Sequence, residues 1–467
     1  MITSVEVGSF KSWKNCTRIR YAPITLFFGV NSSGKSSLNQ LLAMLKQTTI
    51  SNDRRRTLHF GDSTSEANLG SFREAISDHD TSRTMKFEIE WFLESKLSFR
   101  DPSSKSEYSG SSLRFSSFID TASEKHLDGS VKEFKYTLIE KDREVISVGM
   151  QRSGNSEEKY ELFADNLKLV RNRGKPWPLP APNHFYGFPI EVGLYYNNAG
   201  FTKDFEFLLE RLFEKLHYLG PLRQNFKRLY SWNGEVPDEV GLHGERCIDA
   251  MLSARNRQIS WGKGRKRKED FNALVSRLLD ELGLVKTFQI EPIKKDRREY
   301  VVSVRTDGIS TPVNIVDVGF GVSQVLPIVI QSFYSEKSSS MIIEQPEIHL
   351  HPSVQSELAD LFVEAIRSRE SGKKRNVQFI IESHSEHLLR RFQRRIAEGK
   401  IDRRDIAMYF CEIKDGSSTI SELKVDSGGN ISNWPDNFFG DQIEDLVMMV
   451  EASAKKELGA NHDLSKE

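Results

Sequence analysis

Cysteine is scarce. Cys16, Cys247 and Cys411 lie far apart, are odd in number and lack metal-ligand spacing. That excludes a disulfide framework or a zinc ribbon and fits a reducing cytosol. An excess of one charge sign is also missing, since 66 Lys and Arg balance 66 Asp and Glu. The balance excludes coating of nucleic acid by bulk charge, though not a local basic patch. No run of ~18 apolar residues exists, so no spanning helix and no membrane role are expected. The start, Met1-Ile-Thr-Ser-Val-Glu-Val, has neither the basic opening nor the apolar stretch of a signal peptide. There is no internal repeat and no heptad run long enough for a coiled-coil arm. What is present is 467 residues with 38% hydrophobic content, enough for a sizeable core. The length suggests about three domains, or one large domain with an insertion.

The apolar run Ile24-Thr-Leu-Phe-Phe28 reads as a strand buried on both faces and stops at Gly29. Leu38, Leu41, Leu42 and Leu45 then recur at helical spacing, predicting a helix over 36–48. Residues 49–216 contain alternating stretches such as 85–92 and 131–138, which predict antiparallel strands between polar loops. The prolines of 176–182 mark an extended connector, and 204–217 reads as an amphipathic helix. A helix over 270–283 and strands near 286–305 follow. From 310 the pattern alternates: helix 325–333, strand 341–343, helix 352–369, strand 377–381, helix 385–398. Such alternation predicts an α/β fold with a mixed or parallel sheet.

The strongest chemical signal is Gly29-Val30-Asn31-Ser32-Ser33-Gly34-Lys35-Ser36, followed by Ser37. It matches G-x-x-x-x-G-K-[ST] between a predicted strand and a predicted helix, the context a phosphate-binding loop requires. Backbone N–H groups and the helix start would cradle ATP phosphates, Lys35 would reach the β- and γ-phosphates, and Ser36 would ligate Mg²⁺. The competing explanation is a chance Gly/Ser loop.

Met341-Ile-Ile-Glu344 is an apolar strand ending in a carboxylate, the place where P-loop proteins hold Mg²⁺. Alone, it could be an ordinary strand before the Pro352 helix. His349 and His351 would diverge on a helix, so packing or helix entry suits them better than metal binding. Phe379-Ile-Ile-Glu-Ser-His384 ends another strand, with His384 able to sense the γ-phosphate. Gly319-Phe-Gly321-Val-Ser323-Gln324 opens a helix and is a further potential anion site, or a plain turn. Two basic clusters, Lys263–Lys268 and Arg390–Arg395, are solvated faces or phosphate contacts for nucleic acid.

In this order the motifs resemble the ABC-type ATPases that act on DNA: the SMC, RecF and overcoming-lysogenization-defect group. The opening Ile2-Thr-Ser-Val-Glu-Val-Gly-Ser-Phe-Lys-Ser-Trp13 is similar to theirs. The match spans 1–48 and about 310–400. Tyr218-Leu-Gly-Pro-Leu-Arg223 and 430–439 resemble an anti-phage branch near the Septu, retron-associated and PARIS ATPases. The resemblance implies an ATPase head without a long coiled coil, split by a long α+β insertion. The expected segments are an N-terminal lobe at 1–60, an insertion at 61–290, a C-terminal lobe at 291–404 and an extension at 405–467.

It also implies Glu344 as the Walker B acid and His384 as the switch histidine. Gly319, Gly321, Ser323 and Gln324 would complete the partner's site in a homodimer with two ATP at its interface. The implied role is infection sensing that controls a separately encoded effector such as a nuclease. A RecF-like DNA-repair clamp and a scaffold with little turnover are the alternatives. The chain lacks Asp-x-Asp after its last αβ unit and is not expected to be a nuclease itself.

One departure matters. Gln345 stands where the family places its catalytic glutamate, and an amide cannot take a proton. Strand-end geometry puts Gln345 rather than Glu347 beside Glu344. Glu347 could act as base, His384 could help, or turnover is slow.

Overall fold

The protein was analysed as a computed structural model. It describes residues 1–435 except 122–127, 155–158, 173, 175–177, 262–266, 295–296 and 309–310, together with 438, 448–450 and 452. Most of the 263–268 basic run and part of the 176–182 connector therefore lie outside the described residues.

Runs that are apolar throughout need cover on both faces, and here they share one sheet. Across this six-stranded sheet the order is Ser417–Glu422, Ile406–Lys414, Ile24–Gly29, Gln378–Glu382, Ser340–Glu344 and Leu216–Leu219. The last five strands run parallel, and Ser417–Glu422 turns back as a hairpin. Period-two alternation divides their side chains between two cores. Phe27, Ile342 and Ile380 enter one; Ile24, Leu26, Phe28, Met341, Ile343, Phe379 and Ile381 enter the other.

The helix Lys35–Ile50 and the helix Thr202–Glu214 contribute to the first core. A seven-stranded antiparallel sheet closes that core. Its order is Thr17–Arg20, Ile2–Gly8, Met85–Arg100, Glu107–Asp120, Ser130–Glu140, Arg143–Arg152 and Tyr160–Asp165. Helices Phe271–Glu281, Phe320–Tyr334, Pro352–Arg367 and Glu386–Ala397 cover the second core. This is a mixed α/β fold. The longest helices among the described residues have 16 residues, so these residues contain no long coiled coil. No described helix is long and apolar enough to cross a membrane.

Three expected boundaries move. Leu216–Leu219, assigned to the insertion, is a strand of the central sheet, and the preceding helix ends at Glu214 rather than 217. A four-residue strand is too short to show a period of its own, so the helical pattern ran over it. Ile406–Lys414 and Ser417–Glu422, assigned to an extension, are also central strands. The N-terminal strand Ile2–Gly8 pairs with Met85–Arg100, so the first segment and the expected insertion share the antiparallel sheet.

Candidate functional site

Parallel strands deliver their C-terminal ends to one edge, and the sequence-distant motifs meet there. The loop after Ile24–Gly29 turns into the helix Lys35–Ile50 through two glycines with distinct reasons. A Cβ at Gly29 would lie 2.0 Å from the Cys411 carbonyl of the neighbouring strand, and Gly34 has φ +92 as the helix N-cap. No side chain caps this helix and its first turn holds no acid. Its leading N–H groups are thus left for an anion.

Lys35 is buried, and among the described residues its Nζ donates only to the Gly29 carbonyl at 3.0 Å and the Val30 carbonyl at 2.8 Å. Burial holds its pKa below the ordinary value, against the pull of Glu382. Val30, Asn31 and Ser32 are exposed; Ser33 is buried with its hydroxyl unpartnered; Ser36 and Ser37 are intermediate.

The Ser36 hydroxyl donates to Glu382 Oε1 at 2.9 Å, and Asn39 Nδ2 donates to Glu382 Oε2 at 3.3 Å. Glu382 and Glu344 are register partners on adjacent parallel strands. Burial, then the Glu344 charge, raises the Glu382 pKa from 4.5 to about 7. Burial also raises that of Glu344, whose Oε1 accepts from the Tyr218 hydroxyl at 2.5 Å.

No cluster of three or more His, Cys, Asp or Glu among the described residues could hold a metal unaided. The donor set nevertheless fits Mg²⁺ with a polyphosphate, because phosphate and water oxygens supply most of its coordination. The Ser36 hydroxyl and the register-paired Glu344 and Glu382 carboxylates supply oxygen donors, and the buried Lys35 ammonium bonds to carbonyls among the described residues.

The turn after Glu344 separates Gln345 from Glu347. Gln345 has φ +43, and its N–H donates to the Glu382 carbonyl at 2.8 Å. Glu347 Oε1 accepts from the His384 N–H at 2.5 Å, and its field reaches Lys35. Burial raises the Glu347 pKa. Burial and the Lys35 charge hold the His384 imidazole below its ordinary range. The chain reverses at Gln345, and the Glu347 carboxylate meets the His384 main chain. His351 caps the helix Pro352–Arg367, and the His349 ring meets Phe320 edge-on at 5.2 Å, so both serve packing and helix entry.

Gly319 and Phe320 are exposed at the start of the helix Phe320–Tyr334, and Gly321 is intermediate. Ser323 and Gln324 are buried; the Ser323 hydroxyl donates back to the Phe320 carbonyl at 2.7 Å. The open part of this element is therefore Gly319–Phe320.

The shared basic face expected of Arg390–Arg395 divides in two. Arg391 pairs with Asp360 at 2.7 Å and Glu357 at 2.8 Å, and Arg395 pairs with Asp360 and Glu398. Arg394 meets Glu398, and Arg390 meets Glu386 with its guanidinium over Trp434 at 4.8 Å. Each arginine thus has an acidic partner, and only Arg391 and Arg395 reach across to the helix Pro352–Arg367. Arg390 and Arg394 remain exposed on the outer side of the helix.

Sequence reasoning gave no role in the site to Glu382, Asn39, Tyr218 or Arg223. For Glu382 a signal existed: Phe379-Ile-Ile-Glu382 repeats the pattern of Met341-Ile-Ile-Glu344. The shift of Glu382 has a consequence for stability. Between about 4.5 and 7 the folded state retains a proton that the unfolded state releases, so stability falls as pH rises through this window. Glu382→Gln is expected to raise the melting temperature at pH 8 without Mg²⁺ and to change it little at pH 4. Thermal scans at both pH values check this; an equal shift at both would contradict it.

Residues 261–389 match the family model AAA_15, described as an AAA ATPase domain, and residues 401–448 match DUF3696, a protein family of unknown function. No curated protein matches the chain. Among solved structures it is similar to the SMC head domain from Thermotoga maritima, at 12% identity and TM-score 0.39 over 91% of this chain and 99% of that one. It is also similar to an Smc head bound to the C-terminal winged-helix domain of ScpA, at 12% identity and TM-score 0.42 over 91% and 98% of the two chains. The similarity to the AAA ATPase domain model thus covers 261–389, and the central sheet brings the glycine-rich loop 29–36 to the acidic strand end within that stretch.

Proposed function

We propose that this protein is an ABC-type P-loop ATPase that closes as a head-to-head homodimer on two ATP molecules. The observation that carries this reading is the contact of Ser36 with Glu382, which joins the glycine-rich loop to Glu344, Glu347 and His384. Lys35 and the N–H groups of 29–36 bind phosphate oxygens. Ser36 and Glu344, with Glu382 beside them, hold Mg²⁺. When bound, Mg²⁺ neutralises phosphate charge. Glu347 accepts the proton of the attacking water, and His384 reads the γ-phosphate. Gln345 is the weaker candidate for base because its side chain is an amide.

Exposed apolar side chains support dimerisation through this edge. Val30, Leu222 and Phe320 are 54%, 71% and 49% exposed, beside polar loops. Apolar exposure rimmed by polar residues favours a protein partner. A Cβ at Gly319 meets nothing within 4 Å, so a side chain there fits the protomer and would obstruct only what docks on it. Lys35→Ala protomers mixed with Gly319→Glu protomers are therefore expected to regain ATPase activity that neither has alone, since one composite site per heterodimer is intact. Absence of recovery in confirmed heterodimers would refute an in-trans site.

The biological reading is cytoplasmic defence against phage, with the ATPase controlling a separately encoded effector, a nuclease by preference. It rests on the resemblance of Tyr218–Arg223 and 430–439 to that branch. The DNA-clamp alternative is weakened by the internal pairing of Arg390–Arg395.

A further inference from the structure

Arg223 is an unusual arginine. It is 6% exposed, in the turn that follows the strand Leu216–Leu219 at the acidic edge of the sheet. Its Nη2 donates to the main-chain carbonyl of Glu344 at 3.0 Å. Its Nε and Nη1 are buried without a hydrogen-bond partner. Buried guanidinium groups normally satisfy their fork of donors on carboxylates or carbonyls, because an unpaired buried donor is costly. The largest opposing charge acting on Arg223 is that of Glu347, whose Oε2 is likewise buried and unpartnered.

The surroundings hold Arg223 in place. Leu219 is the register partner of Ile343, one residue before Glu344. The turn is pinned at both ends: Gly220 N–H donates to the Leu242 carbonyl and Gln224 N–H to the His243 carbonyl, each at 2.8 Å. From the same strand the Tyr218 hydroxyl holds the Glu344 carboxylate. The strand and the turn after it thus grip Glu344 by side chain and main chain, immediately before the reversal at Gln345.

We propose that Arg223 is a positioning residue for ATP hydrolysis: it anchors the Glu344 carbonyl and directs its remaining N–H groups toward Glu347, fixing the 344–347 turn against the nucleotide. This rests on the ATPase reading. Arg223 acts through Glu347 and lies outside the phosphate loop, so it governs the chemical step rather than nucleotide capture.

Steady-state Mg-ATP hydrolysis and nucleotide binding by the full chain test the proposal, with thermal melting as the control for folding. In Arg223→Gln, kcat is expected to fall about 100-fold, the scale of a small misplacement of a catalytic group, while KM and nucleotide Kd stay within about threefold. Arg223→Lys keeps the charge and one donor and should recover part of the loss. A kcat within twofold of wild type in folded Arg223→Gln overturns the proposal. So does a loss of nucleotide affinity parallel to the loss of kcat, or a lysine variant no better than glutamine. If Arg223→Gln does not fold, Arg223→Lys decides: reduced kcat at unchanged KM supports the role, and unchanged kcat ends it. A wild-type protein that binds Mg-ATP without hydrolysing it would overturn the ATPase reading and this role with it. Wild-type turnover insensitive to Arg223 would overturn this role alone.

Discussion

Lys35→Ala is expected to weaken ATP binding by roughly 100-fold and to abolish hydrolysis. The ammonium is the only side-chain cation of the 29–36 loop, and charge-assisted bonds to phosphate contribute about 1.5–3 kcal/mol each. Among the described residues its bonds are to the Gly29 and Val30 carbonyls alone, so the fold loses little. The melting temperature without nucleotide should stay within a few degrees of wild type. Nucleotide titration and thermal scans measure both quantities. Plating efficiency of phage on cells carrying the wild-type or Lys35→Ala gene, with its neighbouring genes, extends the test to defence. Unchanged affinity would remove the phosphate-loop assignment. Lost ATPase activity with unchanged protection would separate the enzyme from the defence role.

Glu347→Gln is expected to lower kcat by ~10²–10⁴-fold, the usual contribution of a general base, with ATP binding retained. Glutamine keeps an oxygen to accept the His384 N–H, so the local tie survives the substitution. Burial places the Glu347 carboxyl above the ordinary range for glutamate. As a base it works ionised, so the acidic limb of the wild-type profile should rise through a pKa above that range. The matching variant, Gln345→Glu, should change kcat only a fewfold. The opposite pattern, slow wild-type turnover that Gln345→Glu accelerates and Glu347→Gln leaves alone, would make Gln345 the occupant of the base position. Steady-state assays on the three proteins distinguish the two patterns.

The turn at Gln345 shows where local pattern stops being informative. The run Met341-Ile-Ile-Glu344 announces a buried strand, and strand periodicity extended by one residue places Gln345 at its tip. The chain instead adopts φ +43 at Gln345, while its N–H bonds to the Glu382 carbonyl across the sheet. A contact 37 residues away along the chain thus fixes the reversal at Gln345. The same holds for the basic helix: spacing gave four arginines on neighbouring positions, and Asp360 and Glu357 on another helix neutralise two of them.

By itself the sequence determined the strand–loop–helix at 24–48, the buried strands at 341–343 and 377–381, and the α/β class. Each of these follows from local causes: glycines at a tight approach, apolar runs needing cover on both faces, leucines at helical spacing. Only the tertiary structure decided that Gln378–Glu382 lies between the strands of Gly29 and Glu344, and so that Ser36 meets Glu382. Only it placed Leu216–Leu219 at the sheet edge, with Tyr218 and Arg223 against Glu344, and buried Ser323 and Gln324. The physical reason is that strand order is settled by packing both cores at once. Two cores of side chains far apart in sequence must fill their volumes together, and no local periodicity encodes which strands become neighbours.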